Sequence, residues 1–402
     1  MSFSQCKSQN KVSVLCVKKE FKVSRKIQLE ESEDNVIQNI TNFSINFKGQ
    51  ILINEMLIGN FKIYNLNNGK FQYIFEVPKS YSDTASEHFT PWDKDIVPIK
   101  IDKLNELYRK KQNQIVDVRQ HLSSKFNFSK FVGDTIVSIA RLEFPILLQS
   151  SKTVKWGNVP LVAIFKIVGK KIVDYFPVEI KPNEQLYNNP SSFEISKKTG
   201  LFYLNTYKTD NSRSSDDDFG MNIAYYDQKG KIIGLASKLP KDFIEANLLN
   251  SFSNPKMVLD AKDSLYFCYA ILNKIFKNNS NNYFTLKNLP GDNSTDFLSF
   301  ARNPKLLNNT DTLRKLFNLK IFNIGILKNN GNIIVLSNYS QNGKRDYYIQ
   351  EYSKDGDLYA QMIFPEFSNG ETLQTMNYSP EIDKIVLITK SDTGVFVYLL
   401  DW

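Results

Sequence analysis

Short apolar runs bounded by turn residues follow one another along almost the whole chain, and they obey a larger order. A turn residue, one further residue and an apolar strand recur six times, as Gly49-Gln-Ile51, Asp134-Thr-Ile136, Gly200-Leu-Phe202, Asp263-Ser-Leu265, Gly331-Asn-Ile333 and Asp383-Lys-Ile385. Successive anchors lie 85, 66, 63, 68 and 52 residues apart. Gly and Asp tolerate the backbone geometry of a tight hairpin, so each anchor predicts a turn into a second strand. A first strand precedes several of them, at 42–47, 193–196, 257–259 and 376–378.

A second mark lies downstream of the anchors. The stretches 71–78, 172–177, 232–240, 283–290 and 358–365 each run as a strand into a proline, namely Pro78, Pro177, Pro240, Pro290 and Pro365. Proline lacks the donor that a sheet ladder needs, so it fits the end of a peripheral strand. Between the two marks lies a third strand, at 61–66, 161–167, 222–226 and 347–352, and polar glycine turns follow at Gly69, Gly230 and Gly356. Each unit therefore reads as four antiparallel strands. Six such units make an all-β, six-bladed β-propeller, using about 270 residues at roughly 45 a blade. Continuous apolar second strands such as Ile333-Ile-Val-Leu336 and Ile385-Val-Leu-Ile388 agree, because a blade packed between two neighbours buries both faces. The sixth unit reaches Trp402 after three strands, and residues 23–29 supply a fourth. That N-terminal strand would close the ring and remove an open edge.

The expected organisation is an N-terminal tail at 1–22 and a propeller at 23–402, with insertions at about 79–128 and 291–319. Helical stripes run through both, with Leu104, Leu107, Ile115, Val118 and Leu122 in one and Phe297, Phe300, Leu306, Leu313, Leu316 and Phe317 in the other. These insertions, and the lengthened loops 145–156 and 210–220, join second to third strands or one blade to the next. Such connections share one face, which becomes the expected binding face because a rigid scaffold holds its loops.

The anchors, proline stops and closing strand together resemble the six-bladed NHL/TolB-like propellers, especially the envelope-associated propellers of Bacteroidetes, over residues 23–402. The resemblance implies a fold far more than an activity. Calcium-dependent propeller hydrolases, relatives of gluconolactonase and paraoxonase, place a Glu, Asn and Asp set over the central channel. Residues near comparable strand ends in this chain are Asn54, Glu55, Arg141, Asn205, Asn338 and Lys390. Glu55 with Asn205 and Asn338 offers the oxygen ligands a hard cation takes. The alternative is that these residues cap strand ends, and Arg141 and Lys390 would suit an anionic ligand instead. In the first insertion His88, Trp92 and Asp93 combine an imidazole, an indole and a carboxylate, either as a ligand contact or as a staple for a long loop.

Composition narrows the classes. Hydrophobic residues at 42% and charged residues at 23% describe a globular chain, and no apolar run approaches the roughly 18 residues of a membrane span. The net charge of +9 comes mostly from lysine. No dense Arg/Lys stripe with interleaved aromatics accompanies it, which argues for solvated lysine faces over a nucleic-acid footprint. Cys268 lies in an apolar strand and reads as a buried small hydrophobe. Cys6, followed by polar residues, is a lipidation candidate if an export leader precedes the given start. That would place the protein at the bacterial envelope, in the periplasm or as an outer-membrane lipoprotein; without a leader it is cytoplasmic. With two histidines and no HExxH, GxSxG, Walker A or strand-bound GxGxxG motif, the familiar catalytic signatures are missing. The acidic stretch 209–220 lacks EF-hand spacing and reads as a solvated loop. The expected function is a non-catalytic binding or scaffold propeller for a protein, peptide or glycan, without a cofactor. The alternative is a calcium-dependent hydrolase or lactonase.

Overall fold

The computed structural model describes residues 3–5, 15–55, 59–78, 81, 96–99, 106, 125–143, 146–151, 153–155, 160–178, 184–186, 193–208, 220–240, 255–269, 272–290, 319–341, 344–365, 367 and 370–402. An N-terminal arm carries β1 (Phe3–Gln5), β2 (Leu15–Lys19) and β3 (Val23–Gln28). Blade one is β4 (Ile40–Ile45), β5 (Gln50–Glu55), β6 (Asn60–Asn65) and β7 (Phe71–Phe75). After β8 (Ile96–Pro98), blade two is formed by β9 (Lys125–Val132) and β10 (Thr135–Glu143), then, past β11 (Ile146–Leu148) and β12 (Thr153–Lys155), by β13 (Pro160–Val168) and β14 (Lys171–Pro177). Blade three has a first strand in two pieces, β15 (Glu184–Leu186) and β16 (Phe193–Ile195), followed by β17 (Phe202–Lys208), β18 (Gly220–Tyr226) and β19 (Ile232–Ser237). Blade four is β20 (Pro255–Leu259), β21 (Leu265–Tyr269), β22 (Lys274–Lys277) and β23 (Asn279–Thr285). Blade five is β24 (Leu319–Ile326), β25 (Ile333–Gln341), β26 (Lys344–Tyr352) and β27 (Leu358–Pro365). Blade six is β28 (Thr372–Ser379), β29 (Lys384–Ser391), β30 (Gly394–Leu400) and the N-terminal β3.

The innermost strands stand in sequence around the axis, and β28 meets β4 to close the ring. Apolar side chains pack between blades rather than inside one. Phe61 of blade one meets Phe126 and Phe165 of blade two, and Ile27 and Val397 of blade six join Ile51 and Ile53 of blade one. Ile333 to Leu336 are all buried, as both-faced packing of a second strand requires.

The anchors are the first-to-second-strand turns, and their chemistry repeats. Gly49, Gly200, Asp263, Gly331 and Asp383 all adopt positive φ. Blade two departs: only Gly133 and Asp134 separate its paired strands, and the positive φ falls on Gly133 rather than on Asp134. Asn46 Oδ1 accepts from the backbone N–H of Lys48 and Gln50, and Asp260 Oδ1 does the same for Lys262 and Ser264. These side chains mimic a backbone turn and fix the hairpin. The third-to-fourth-strand turns reach further, into the preceding blade. A Cβ on Gly69 would overlap the Gln28 carbonyl oxygen, one on Gly230 that of Pro177, and one on Gly356 that of Thr285. The Gly69 and Gly356 carbonyls also accept from Glu30 N and Lys287 N, both at 2.9 Å. The glycine turn thus serves two purposes, positive φ and a backbone-to-backbone seam between blades.

Closure follows the expected route. β3 pairs antiparallel with β30, from Val23 opposite Leu400 to Gln28 opposite Phe396. Residues 15–19, within the stretch read as a tail, form β2, which adds in parallel to the outer edge of β27. Cys16 on that strand is fully buried. A small three-stranded sheet, β8–β11–β12, joins the long connection after blade one to the loop between β10 and β13. The helical stripes expected at 101–122 and 291–317, apart from Glu106, lie outside the described residues, as do Cys6, His88, Trp92 and Asp93.

Candidate functional site

Antiparallel order within each blade puts the first-to-second and third-to-fourth turns at one face. Asn67 lies against Gly49, Gln228 against Gly200 and Lys354 against Gly331, so the two kinds of turn sit side by side. The strand ends that lead into the second-to-third loops and the blade-to-blade connections lie at the opposite face, where the described three-stranded accessory sheet also sits. The six residues singled out at strand ends are all on second strands: Asn54 and Glu55 on β5, Arg141 on β10, Asn205 on β17, Asn338 on β25 and Lys390 on β29. They do not share one level. Arg141, Asn338 and Lys390 stand seven residues beyond their anchors, Glu55 six and Asn205 five. Side chains alternate along a strand, so Glu55 points to the other side of its sheet from the remaining five.

Glu55 and Lys390 both hold backbone. Glu55 Oε1 accepts from Gln38 N at 2.6 Å, and Oε2 lies 2.6 Å from Lys62 Nζ in an ion pair whose side chains are 0% and 3% exposed. Lys62 Nζ also donates to Val36 O at 2.5 Å. Lys390 Nζ donates to Ile37 O at 2.5 Å and to Gln38 O at 3.2 Å. Residues 36–38 belong to the connector from β3 in blade six to β4 in blade one. Charges from both blades therefore grip the link that completes the ring. Burying an ion pair is costly unless further donors and acceptors complete it, and the connector supplies them. The sequence reading missed Lys62, although a lone lysine inside Phe61-Lys-Ile-Tyr64 was the available signal.

Blade six has a second polar knot at the same face. Glu371 takes a bond from Lys26 Nζ at 2.8 Å on Oε1, and from Thr389 Oγ1 at 2.6 Å and Tyr398 Oη at 2.7 Å on Oε2. Desolvation opposes the charge on Glu371, but these three donors outweigh it and hold the carboxyl below its ordinary range. Lys26 loses some stability to desolvation and regains more from Glu371 and Tyr398, so its pKa is raised. The knot ties strands two, three and four of the blade to the start of its first.

Asn54 and Asn205 occupy equivalent places, five residues beyond their anchors, and differ. Asn54 Nδ2 donates to Ser129 O on the first strand of the next blade at 2.9 Å. Asn205 is fully buried, and neither its Oδ1 nor its Nδ2 has a partner. Asn338 is 7% exposed and Arg141 is half-buried. Cys268 is buried as expected, with its thiol pushed up to about 12 by desolvation.

The turn end of the ring is laced across. Lys197 of blade three pairs with Glu381 of blade six at 3.2 Å, although those blades stand opposite one another. On the innermost strands Lys130 pairs with Glu194 at 2.5 Å, joining blades two and three. Burial raises the Glu194 pKa despite that lysine. Among the described residues no group of three or more His, Cys, Asp and Glu side chains is placed to hold a metal ion, and no helix is long and apolar enough to cross a membrane.

No family model matches the chain, and no curated protein matches it. Solved structures do. Regucalcin from Agrobacterium tumefaciens is 10% identical with a TM-score of 0.41, covering 96% of this chain and 95% of its own. The PQQ-bound aldose sugar dehydrogenase from Streptomyces coelicolor is 11% identical with a TM-score of 0.45, covering 94% and 97%. A protein from Bacteroides fragilis is 9% identical with a TM-score of 0.42, covering 96% and 99%.

Proposed function

We propose that the protein is a non-catalytic binding or scaffold propeller of the NHL/TolB-like type, recognising a protein, peptide or glycan through its loop-bearing face. One observation carries this reading. The strand ends from which the long connections leave, and the accessory sheet β8–β11–β12, lie on one face of a ring whose other face is made of tight turns. Variable loops on an over-braced frame are the usual layout of a recognition surface.

The calcium-dependent alternative rests on Glu55, Asn205 and Asn338, and the donor set fits it poorly. Glu55 already faces an ammonium group and a backbone amide, and it points to the other side of its sheet from Asn205 and Asn338. Lys390 near the same strand ends adds a second ammonium group.

The test uses peptide and glycan arrays probed with the whole chain and with two variants. One variant replaces 209–219 by a short Gly-Ser turn, and the other carries Lys198→Gln on the turn face. Loss of array binding in the first variant alone is the expected result. Equal binding by all three proteins overturns the loop-face reading. Titration with Ca²⁺ runs in parallel, and a stoichiometric heat signal abolished by Glu55→Gln would favour the hydrolase reading instead.

A further inference from the structure

The turn face has a chemistry of its own. Over blades three to five its turns carry six exposed lysines, Lys198, Lys229, Lys231, Lys262, Lys328 and Lys354. None of the six is in an ion pair among the described residues. The acids on the same turns are mostly directed inward. Asp227 Oδ1 accepts from Lys229 N and Lys231 N at 2.8 and 2.9 Å, Asp260 Oδ1 accepts from Lys262 N and Ser264 N at 2.8 Å each, and Asp263 Oδ2 accepts from Ser196 Oγ at 2.7 Å. Apart from exposed Asp355, and Asp357 paired with Lys287, the carboxylates are thus tied into the turns while the ammonium groups stand in solvent. Position decides the outward field, because charges farther than about 8 Å are screened at physiological salt.

We infer that this arc of the turn face docks on an anionic lipid bilayer. The turns are short, so the lysine tips can approach a flat surface together. Ile233 and Tyr359, 52% and 55% exposed, follow the third-to-fourth turns of blades three and five, giving apolar groups beside the cations. Lysines flanked by aliphatic and aromatic side chains match a layer of headgroups over acyl chains. A nucleic-acid strand would call for arginine forks and stacked aromatic platforms, and the arc is built from lysine alone. Docking this way leaves the loop-bearing face pointing away from the bilayer, free for the partner proposed above, and it does not depend on that partner.

The experiment is co-sedimentation of the whole chain with vesicles of phosphatidylcholine alone or of phosphatidylcholine mixed with phosphatidylglycerol. Two variants lose equal charge. One carries Lys198→Gln, Lys229→Gln, Lys262→Gln and Lys354→Gln; the other carries Lys18→Glu and Lys344→Glu, at exposed positions away from the arc. We expect salt-sensitive binding to the anionic vesicles only, about tenfold or more weaker in the arc variant and near wild type in the other. Both variants should keep the wild-type melting temperature. Equal binding to neutral vesicles, or equal weakening by the two variants, overturns the assignment. Tighter binding to a single-stranded oligonucleotide than to anionic vesicles, at matched phosphate concentration, also overturns it.

Discussion

The two faces of the ring are built by opposite rules. On the turn face every hairpin is short, positive φ recurs at matching places, and a polar side chain folds back on its own backbone. On the loop face the connections differ from blade to blade, and charged side chains hold neighbouring segments rather than their own turns. The comparison teaches that repetition marks what assembles the ring, and irregularity marks what the ring is free to present. It also shows where structural duty intrudes on the free face. Glu55 and Lys390 look like ligand groups from their position, yet both clamp the connector between blades six and one.

The comparison can be broken most severely at closure. Removing residues 1–29 takes away the outer strand of blade six with buried Ile27 and Leu29, and we expect loss of a cooperative thermal transition; a truncated chain melting near the full chain would refute the role of β3. Next comes Lys62→Met, which strands the Glu55 carboxylate in a buried site. A loss of about 3–5 kcal/mol in urea unfolding is expected, as for other broken buried pairs. A loss under about 1 kcal/mol would mean that water reaches Glu55.

Gly356→Ala should cost on the order of 3 kcal/mol, combining positive φ with a Cβ that meets the Thr285 carbonyl. Gly133→Ala has the same φ problem in open space, so about 1 kcal/mol is expected. Equal losses for the two would remove the inter-blade seam from the account.

The polar knot in blade six gives a smaller, pH-dependent effect. The Glu371 pKa is depressed in the folded chain, so its contribution is present above the ordinary carboxylate range and lost as pH falls through the depressed value. Lys26 is raised, so its share is present below the ordinary lysine range and lost as pH rises through the raised value. Glu371→Gln should therefore flatten the acid limb of a melting-temperature profile. Glu194, with its raised pKa, works in the opposite sense, its contribution falling as pH rises through that value. Least affected of all, a chain with 209–219 shortened should stay within about 0.5 kcal/mol of wild type.

Legibility in the sequence followed the same division. Hairpin anchors, proline stops and the closing strand could be read because each is a local rule repeated at intervals. Asp134 does lie in its turn, but the positive φ belongs to Gly133 beside it, and spacing alone cannot assign that role between adjacent turn formers. β8, β11 and β12 are three residues each, too short to show a period. β2 was hidden because the tail's polar residues obscure the alternation of five residues. At the candidate site, position along the strand was legible from the anchors, but partners were not. Nothing local in Lys390 says that its ammonium reaches the carbonyl oxygens of residues 37 and 38, more than 350 positions away.

That distance carries a consequence for how the molecule is made. Ser24 Oγ donates to Leu399 O across 375 positions, so the contacts that finish blade six have nearly the largest sequence separation the chain allows. Pairings of this kind bring their reward only after the intervening chain is organised, and they slow folding. In order of synthesis β3 precedes β4 to β30, so it must wait for β30 before it can pair. Until then blade six lacks its outer strand, and that interval leaves the chain open to association with its neighbours.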